Sequence, residues 1–146
     1  MIVLYRRRSA IMPYVSYFVY CLNIERNGDS VSIQNPISAI TPDYVPGNFS
    51  FAVAFSVLDT DVTSSSNTIR LIILDENKQV VADTNETQIA RLIPEESPTP
   101  DKYRGYNFNM DFRNLQFQHN GLYTTQVYFN HEKIYENEIY VCGKNG

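Results

Sequence analysis

The segment from Phe112 to Tyr123 constrains the fold more than any other part of the sequence. An apolar strand end is followed by Leu115, by a turn that contains Gly121, and then by a tyrosine that opens a second apolar run. In two-sheet β-sandwiches a tyrosine at this spacing packs beneath the turn, and its hydroxyl binds a backbone group a few residues upstream. The spacing therefore predicts the corner of a β-sandwich, with Tyr123 buried and its hydroxyl bonded to the backbone within residues 117–120.

The remaining sequence supplies strands rather than helices. Phe49–Val57 is the clearest strand, because large apolar residues alternate with small ones at a period of two, and its small-residue face leaves room for a loop or a partner. No long apolar period typical of helices occurs, so the sequence predicts an all-β fold of two packed antiparallel sheets with about seven to nine strands. The residues expected to point into the core are Phe49, Phe51, Val53, Phe55, Leu71, Ile73, Phe108, Met110, Phe112, Leu115, Tyr123, Val127, Phe129, Ile139 and Val141.

Length and composition indicate one globular domain. The chain has 146 residues, of which 43% are hydrophobic and 19% are charged, and a chain of this size can bury a core without covalent staples. We expect residues 1–11 to form a flexible N-terminal extension and residues 12–146 to form a single β-sandwich domain. Cys21 and Cys142 lie in the predicted first and last strands; we expect two reduced thiols, and a disulfide is the alternative.

The corner and the final hairpin, about residues 108–141, resemble the later strands of immunoglobulin-like and fibronectin-like domains, where this arrangement is called a tyrosine corner. Thr125 occupies the position of the second core cysteine of antibody domains, His119 stands where an aspartate is usual, and the chain has no tryptophan. The resemblance implies an immunoglobulin-like two-sheet sandwich outside the antibody class. The whole chain is also similar to small β-sandwich proteins of unknown function encoded by phages and bacterial mobile elements.

The sequence contains no arrangement that points to catalysis or to a bound cofactor. His119 and His131 both lie in predicted turns, and no phosphate-binding glycine loop or nucleophile motif occurs. The loop Asp59–Asn67 offers oxygen ligands but no bidentate glutamate at a recognisable spacing, and the two cysteines have no zinc-site spacing. We therefore expect no catalytic residue, no cofactor and no metal, and a protein that is not an enzyme.

Charge and hydropathy limit the partners. The formal net charge of −4 and the pI of about 5.1 argue against direct nucleic-acid binding and favour a protein partner with a basic surface. The apolar run Ile11–Leu22 follows three arginines, as in a secretory signal, but Pro13 interrupts it and no small-x-small cleavage site follows. The run is too short to span a membrane. We expect a cytoplasmic protein of a bacterial host without membrane contact, and secretion is the alternative.

One predicted sheet face carries the residue types of a binding surface. If Val127 and Ile139 face inward, Tyr128, Glu136, Glu138 and Tyr140 share the outer face. Tyrosine provides a rigid amphipathic contact area, and carboxylates complement basic residues of a partner. The alternative is an ordinary polar sheet face with cross-strand pairs. Further candidate partner-binding residues lie in an acidic loop and are Glu95, Glu96 and Asp101.

These observations favour a non-enzymatic protein-binding module of a phage or bacterial mobile element. Its most specific form is a stoichiometric inhibitor of a host defence nuclease of the CRISPR type, in which carboxylates imitate phosphates. One alternative is a structural, homo-oligomerising accessory module of a phage particle or cell surface. Another is a sandwich that binds a small ligand or nucleotide between strands.

Overall fold

Ten β-strands form two sheets in the structure, a computed structural model that describes residues 10–93 and 99–145. The strands are β1 (Tyr14–Asn27), β2 (Ser30–Pro36), β3 (Ala39–Ile40), β4 (Gly47–Leu58), β5 (Thr68–Leu74), β6 (Val80–Asp83), β7 (Thr87–Gln88), β8 (Gly105–Phe117), β9 (Gly121–Phe129) and β10 (Glu132–Val141). One 3₁₀ turn, Asp101–Tyr103, precedes β8. Within residues 10–93 and 99–145, no helix is long and apolar enough to cross a bilayer. Of the predicted extension at residues 1–11, only Ala10 and Ile11 lie within the described residues, and both are exposed.

The prediction of an all-β, immunoglobulin-like two-sheet sandwich is confirmed. The four-stranded sheet has the order β2-β1-β4-β8, and the six-stranded sheet has the order β3-β10-β9-β5-β6, with β7 paired to β5. The strand count exceeds the predicted seven to nine because β3 and β7 contain two residues each, which is too short for a period of two to show. The pairing of β3 with β10 is parallel, so one pair departs from the predicted antiparallel arrangement.

Strand β4 is buried on both of its faces. Every residue from Phe51 to Val57 is buried, and β4 lies between β1 and β8 within its sheet. The large residues face the six-stranded sheet. On the opposite face, the small residues Ala52 and Ala54 pack in one cluster with Cys21 and Ile24 of β1. Within the described residues, neighbouring side chains of the same sheet therefore cover the small-residue face.

Aromatic rings fill much of the space between the sheets. Phe55 stacks on both Phe18 and Phe108, with ring centroids 5.4 Å and 5.0 Å apart, and Phe51 stacks on Phe112 at 5.2 Å. Ten of the fifteen predicted core residues are fully buried. The other five pack against the core but are only half-buried, and they are Phe49, Phe108, Met110, Phe112 and Leu115. Four of these five lie on β8, where no further strand among the described residues covers the edge of the sheet.

A hydrogen-bonded cluster crosses the core between the two sheets. The hydroxyl of Tyr20, on the four-stranded sheet, lies 2.7 Å from Thr125 Oγ1 and 2.5 Å from Asn137 Oδ1, both on the six-stranded sheet. Thr125 and Asn137 are direct cross-strand neighbours on β9 and β10. Thr125 is fully buried and Tyr20 is 7% exposed, so each group would lose a partner that water cannot replace if the cluster were broken.

The corner between β8 and β9 has the geometry predicted for Tyr123. This side chain is 1% exposed, and its hydroxyl donates to the carbonyl oxygen of His119 at 2.7 Å. Gly121 has a φ of +139°, and a Cβ at that position would overlap the carboxylate of Glu76. That carboxylate accepts a hydrogen bond from the backbone N–H of Leu122 at 2.8 Å, so the glycine gives Glu76 access to the start of β9.

We expect Tyr123→Phe to lower the free energy of unfolding by about 1 kcal/mol, the value of a typical hydrogen bond. Phe51→Ala should lower it by roughly 3–5 kcal/mol, because truncation leaves a cavity among stacked rings. Urea unfolding followed by circular dichroism measures both changes. Equal or negligible losses in the two variants would contradict the packing described above.

The Tyr20 cluster predicts how stability responds to alkaline pH. Burial raises the pKa of Tyr20 from 10.0 to about 12, an effect that its hydrogen bonds with Thr125 and Asn137 only partly offset. Between these values the unfolded chain has lost the phenol proton while the folded chain retains it, so stability falls as pH rises from 10 to 12. The expected loss is about 2 kcal/mol. Unfolding measured from pH 9 to 12 should show a shallower decline in Tyr20→Phe, and parallel declines would contradict the assignment.

Candidate protein-binding face

The hairpin of β9 and β10 determines which predicted residues share a surface. A two-residue turn, Asn130-His131, joins the strands, and both residues have positive φ values of 50° and 72°, as in the turns that favour tight hairpins. The register pairs Gln126 with Glu136 and Thr124 with Glu138. We call the outer surface of the six-stranded sheet, formed by the outward residues of β5, β6, β9 and β10, the β9–β10 face.

All four residues predicted for this face lie on it. Tyr140 pairs with Leu122, and Tyr128 pairs with Lys133. Burial alternates strictly along β9, with odd-numbered residues buried and Tyr128 half-buried, and Glu136, Glu138 and Tyr140 are exposed on β10. The two tyrosines lie at opposite ends of the face, because five register pairs separate them along the hairpin.

One end of the face is apolar. Leu122 is 43% exposed, Tyr140 is 48% exposed, and Val80 of β6 is 60% exposed. Val80 pairs with Leu74 of β5, which pairs in turn with Thr124, so β6 places a further apolar group on the same face, two strands away from β9. The sequence prediction missed Leu122 and Val80. Alternation with the inward Tyr123 indicates the outward position of Leu122, whereas the position of Val80 depends on the register between β5 and β6, where the pairing shifts at Leu74.

The other end of the face is polar and internally paired. Lys133 Nζ lies 2.9 Å from Glu136 Oε1, and this hydrogen bond, with that from Gln126, lowers the pKa of Glu136. The hydroxyl of Tyr128 donates to Gln126 Oε1 at 3.3 Å. Next to Tyr128, the guanidinium of Arg70 forms two hydrogen bonds with a carboxylate of β6, at 3.0 Å and 2.6 Å. Glu136 and Tyr128 are therefore engaged within the chain.

Glu138 differs from Glu136. It lies between the apolar end and the paired end, it is exposed, and within the described residues its carboxylate has no hydrogen-bond or ion-pair partner. A carboxylate in this state is available to a basic group of another molecule, whereas Glu136 would first have to release Lys133.

The predicted acidic loop does not join this face in the described residues. Asp101 lies in the 3₁₀ turn before β8, which belongs to the four-stranded sheet, and its carboxylate is 3.2 Å from the guanidinium of Arg104. Glu95 and Glu96 lie outside the described residues.

In the polar loop Asp59–Asn67, side-chain oxygens form hydrogen bonds within the loop. Asp61 Oδ1 accepts hydrogen bonds from the hydroxyl of Thr63 at 2.5 Å and from its backbone N–H at 3.0 Å, and these bonds lower the pKa of Asp61. Across residues 10–93 and 99–145, no three His, Cys, Asp or Glu side chains are placed to hold a metal ion. Cys21 and Cys142 are both free thiols.

A cleft of about 880 Å³ lies at one end of the sandwich. The loop after β4, the segment before β1 and the region of the 3₁₀ turn form its walls, with Asp59, Lys102 and Arg104 among the lining residues. Because loops bound this cleft, it differs from the interstrand pocket that the small-ligand alternative assumes.

The sequence matches the profile of a protein family whose function is unknown. The profile of DUF6941, described as a family of unknown function, matches residues 16–142. No curated protein matches the sequence.

Two solved structures are similar to this chain at low sequence identity. The first is an immunoglobulin-like protein from Pseudomonas aeruginosa, 13% identical, with a TM-score of 0.45 over 90% of this chain and 97% of that one. The second is the alkylpurine DNA glycosylase AlkC of Pseudomonas fluorescens bound to DNA containing an abasic site analog. It is 8% identical, with a TM-score of 0.43 over 88% of this chain and 30% of that one.

Proposed function

The chain belongs to the DUF6941 family, a family of unknown function, and we propose that it is a non-enzymatic protein-binding module whose partner covers the apolar end of the β9–β10 face. The observation that carries the proposal is the exposure of Leu122 and Tyr140 as direct cross-strand partners, with exposed Val80 on the same face two strands away from β9. Apolar side chains exposed singly are ordinary on protein surfaces, whereas a contiguous patch with a polar rim is typical of an interaction site.

The charges around the patch favour a basic partner. Glu138 precedes Tyr140 by two residues on the same face of β10, and in the described residues its carboxylate is unpaired. The chain as a whole carries a formal net charge of −4. Burial of an aromatic and an aliphatic anchor supplies affinity, and the adjacent carboxylate supplies orientation and a faster encounter with lysine or arginine.

A defence nuclease of the CRISPR type, inhibited by a phage or mobile-element protein, is one partner class that meets this description. Imitation of a phosphate row requires several free carboxylates, but on this face Lys133 neutralises Glu136 and Arg70 neutralises Asp83. We therefore expect an inhibitor of this kind to act through the apolar patch, with Glu138 as its electrostatic contact.

Partner capture by immobilised protein tests the patch. Leu122→Ser and Tyr140→Ser should each weaken binding about thirtyfold or more, because interface anchors are worth roughly 2 kcal/mol. Their melting temperatures should stay nearly unchanged, since exposed substitutions alter stability by less than about 0.5 kcal/mol.

Tyr44→Ser and Tyr103→Ser are the matched controls, because these tyrosines are 62% and 53% exposed outside the face. Tyr128→Ala tests whether the contact extends to the paired end. If Leu122→Ser and Tyr140→Ser retain full affinity for every captured protein, the face is an ordinary sheet surface and the proposal fails.

Charge reversal at Glu138 tests the orientation of the partner. Glu138→Lys should slow association most at low salt, where screening is weakest, and Glu136→Lys should have a smaller effect because Lys133 already neutralises that carboxylate. Glu25→Lys, on the four-stranded sheet, is the control. Association rates measured between about 25 and 500 mM salt, over which the Debye length falls from roughly 20 Å to roughly 4 Å, distinguish these outcomes. An equal effect of all three reversals would show general rather than local attraction.

A further inference from the structure

The four-stranded sheet ends in a long strand with an open side. β8 contains 13 residues, and within the described residues it pairs only with β4. The other edge strands are shorter, with seven residues in β2, four in β6 and two in β3. An edge of this length presents a row of unpaired backbone N–H and C=O groups, which is a template for another strand.

β8 lacks most of the devices that block such pairing. From Gly105 to Phe112 it contains no proline, lysine or arginine, and Asp111 is its only charged residue. A bulge follows at Asn114, which has a φ of 52°, and the register with β4 shifts by one residue there. Because bulges twist an edge away from a partner, the regular part of the edge is Gly105–Phe112.

The apolar side of this edge is incompletely covered. Phe108, Met110 and Phe112 point towards the core and stack or pack on it, yet all three remain half-buried. An added strand would cover these side chains from the open side while it satisfied the free backbone groups.

We propose that a second copy of this chain is the added strand, so that two β8 edges pair antiparallel about a two-fold axis at Asn109 and join the two four-stranded sheets. The observation that favours a second copy is self-complementarity. This register places Asn107 opposite the partner's Asp111, where the amide donates to the carboxylate, and Asn109 opposite the partner's Asn109. On the core side it places Phe108 opposite the partner's Met110, a favourable sulfur–aromatic pair.

The charges along this edge are compatible with the contact. Arg26 lies 3.4 Å from Asp111, so the only carboxylate of the paired segment is already balanced and two copies bring no unpaired like charges together. The seven opposed residues in each copy, 106–112, would form roughly six to eight backbone hydrogen bonds. The contact uses the four-stranded sheet and therefore does not depend on the proposed function of the β9–β10 face.

Light scattering after size-exclusion chromatography, over a hundredfold range of concentration, tests the proposal on the full chain. The mass should rise with concentration to twice the 16.8 kDa of one chain. In the dimer, Asn107→Asp would place a carboxylate opposite the partner's Asp111 at two symmetric positions, and it should weaken the dimer roughly tenfold. Asn107→Lys would place an ammonium group there, and it should strengthen the dimer by a similar factor. Gln116→Glu and Gln116→Lys, beyond the bulge on the same strand, are controls that should have no effect.

Cross-linking tests the register itself. In a Cys142→Ser background, Asn109→Cys should form an intermolecular disulfide under mild oxidation, because opposed Cα atoms in antiparallel strands are about 4.5–5.5 Å apart. Asn107→Cys should not, because four residues of offset separate the two copies of this position by roughly 14 Å. A monomer at all concentrations, an unchanged dimer in both Asn107 variants, or equal cross-linking at the two positions would overturn the proposal.

Discussion

The burial of β4 on both faces is the constraint on which the rest of the structure depends. Its large side chains, Phe51, Val53 and Phe55, fill the space towards the six-stranded sheet, and its small ones allow Cys21 and Ile24 to close over the other side. A shift of the strand register by one residue would place the phenylalanines on the outside and the alanines in the core. The alternation of large and small residues in one strand therefore determines both the register of its sheet and the position of the core.

The sequence was sufficient to predict the features that depend on the spacing between residues close together in the chain. The period of two along β4, the corner at Tyr123 and the hairpin of β9 and β10 each follow from spacing between nearby residues, and each prediction agrees with the structure. The fold class follows from these elements, because amphipathic strands without helices have few ways to bury their apolar faces.

Features that depend on contacts between distant segments were not predictable in this way. The half-buried state of Phe108, Met110 and Phe112 results from the position of β8 at an edge, and strand order is not encoded in the alternation of one strand. The candidate face shows the same limit. Alternation places Glu136 and Glu138 together, but only the three-dimensional arrangement shows that Lys133 neutralises one and leaves the other free.

The hydrogen-bonded link of Tyr20 with Thr125 and Asn137 has a consequence for the conditions under which this domain folds. None of the three residues of this link is a cysteine, and both cysteines of this chain are free, one of them fully buried. The contact between the sheets at this position therefore forms without an oxidant or an isomerase, and glutathione does not break it. This link between the sheets is therefore independent of the redox poise of the surroundings, and its hydrogen bonds reform each time the chain refolds.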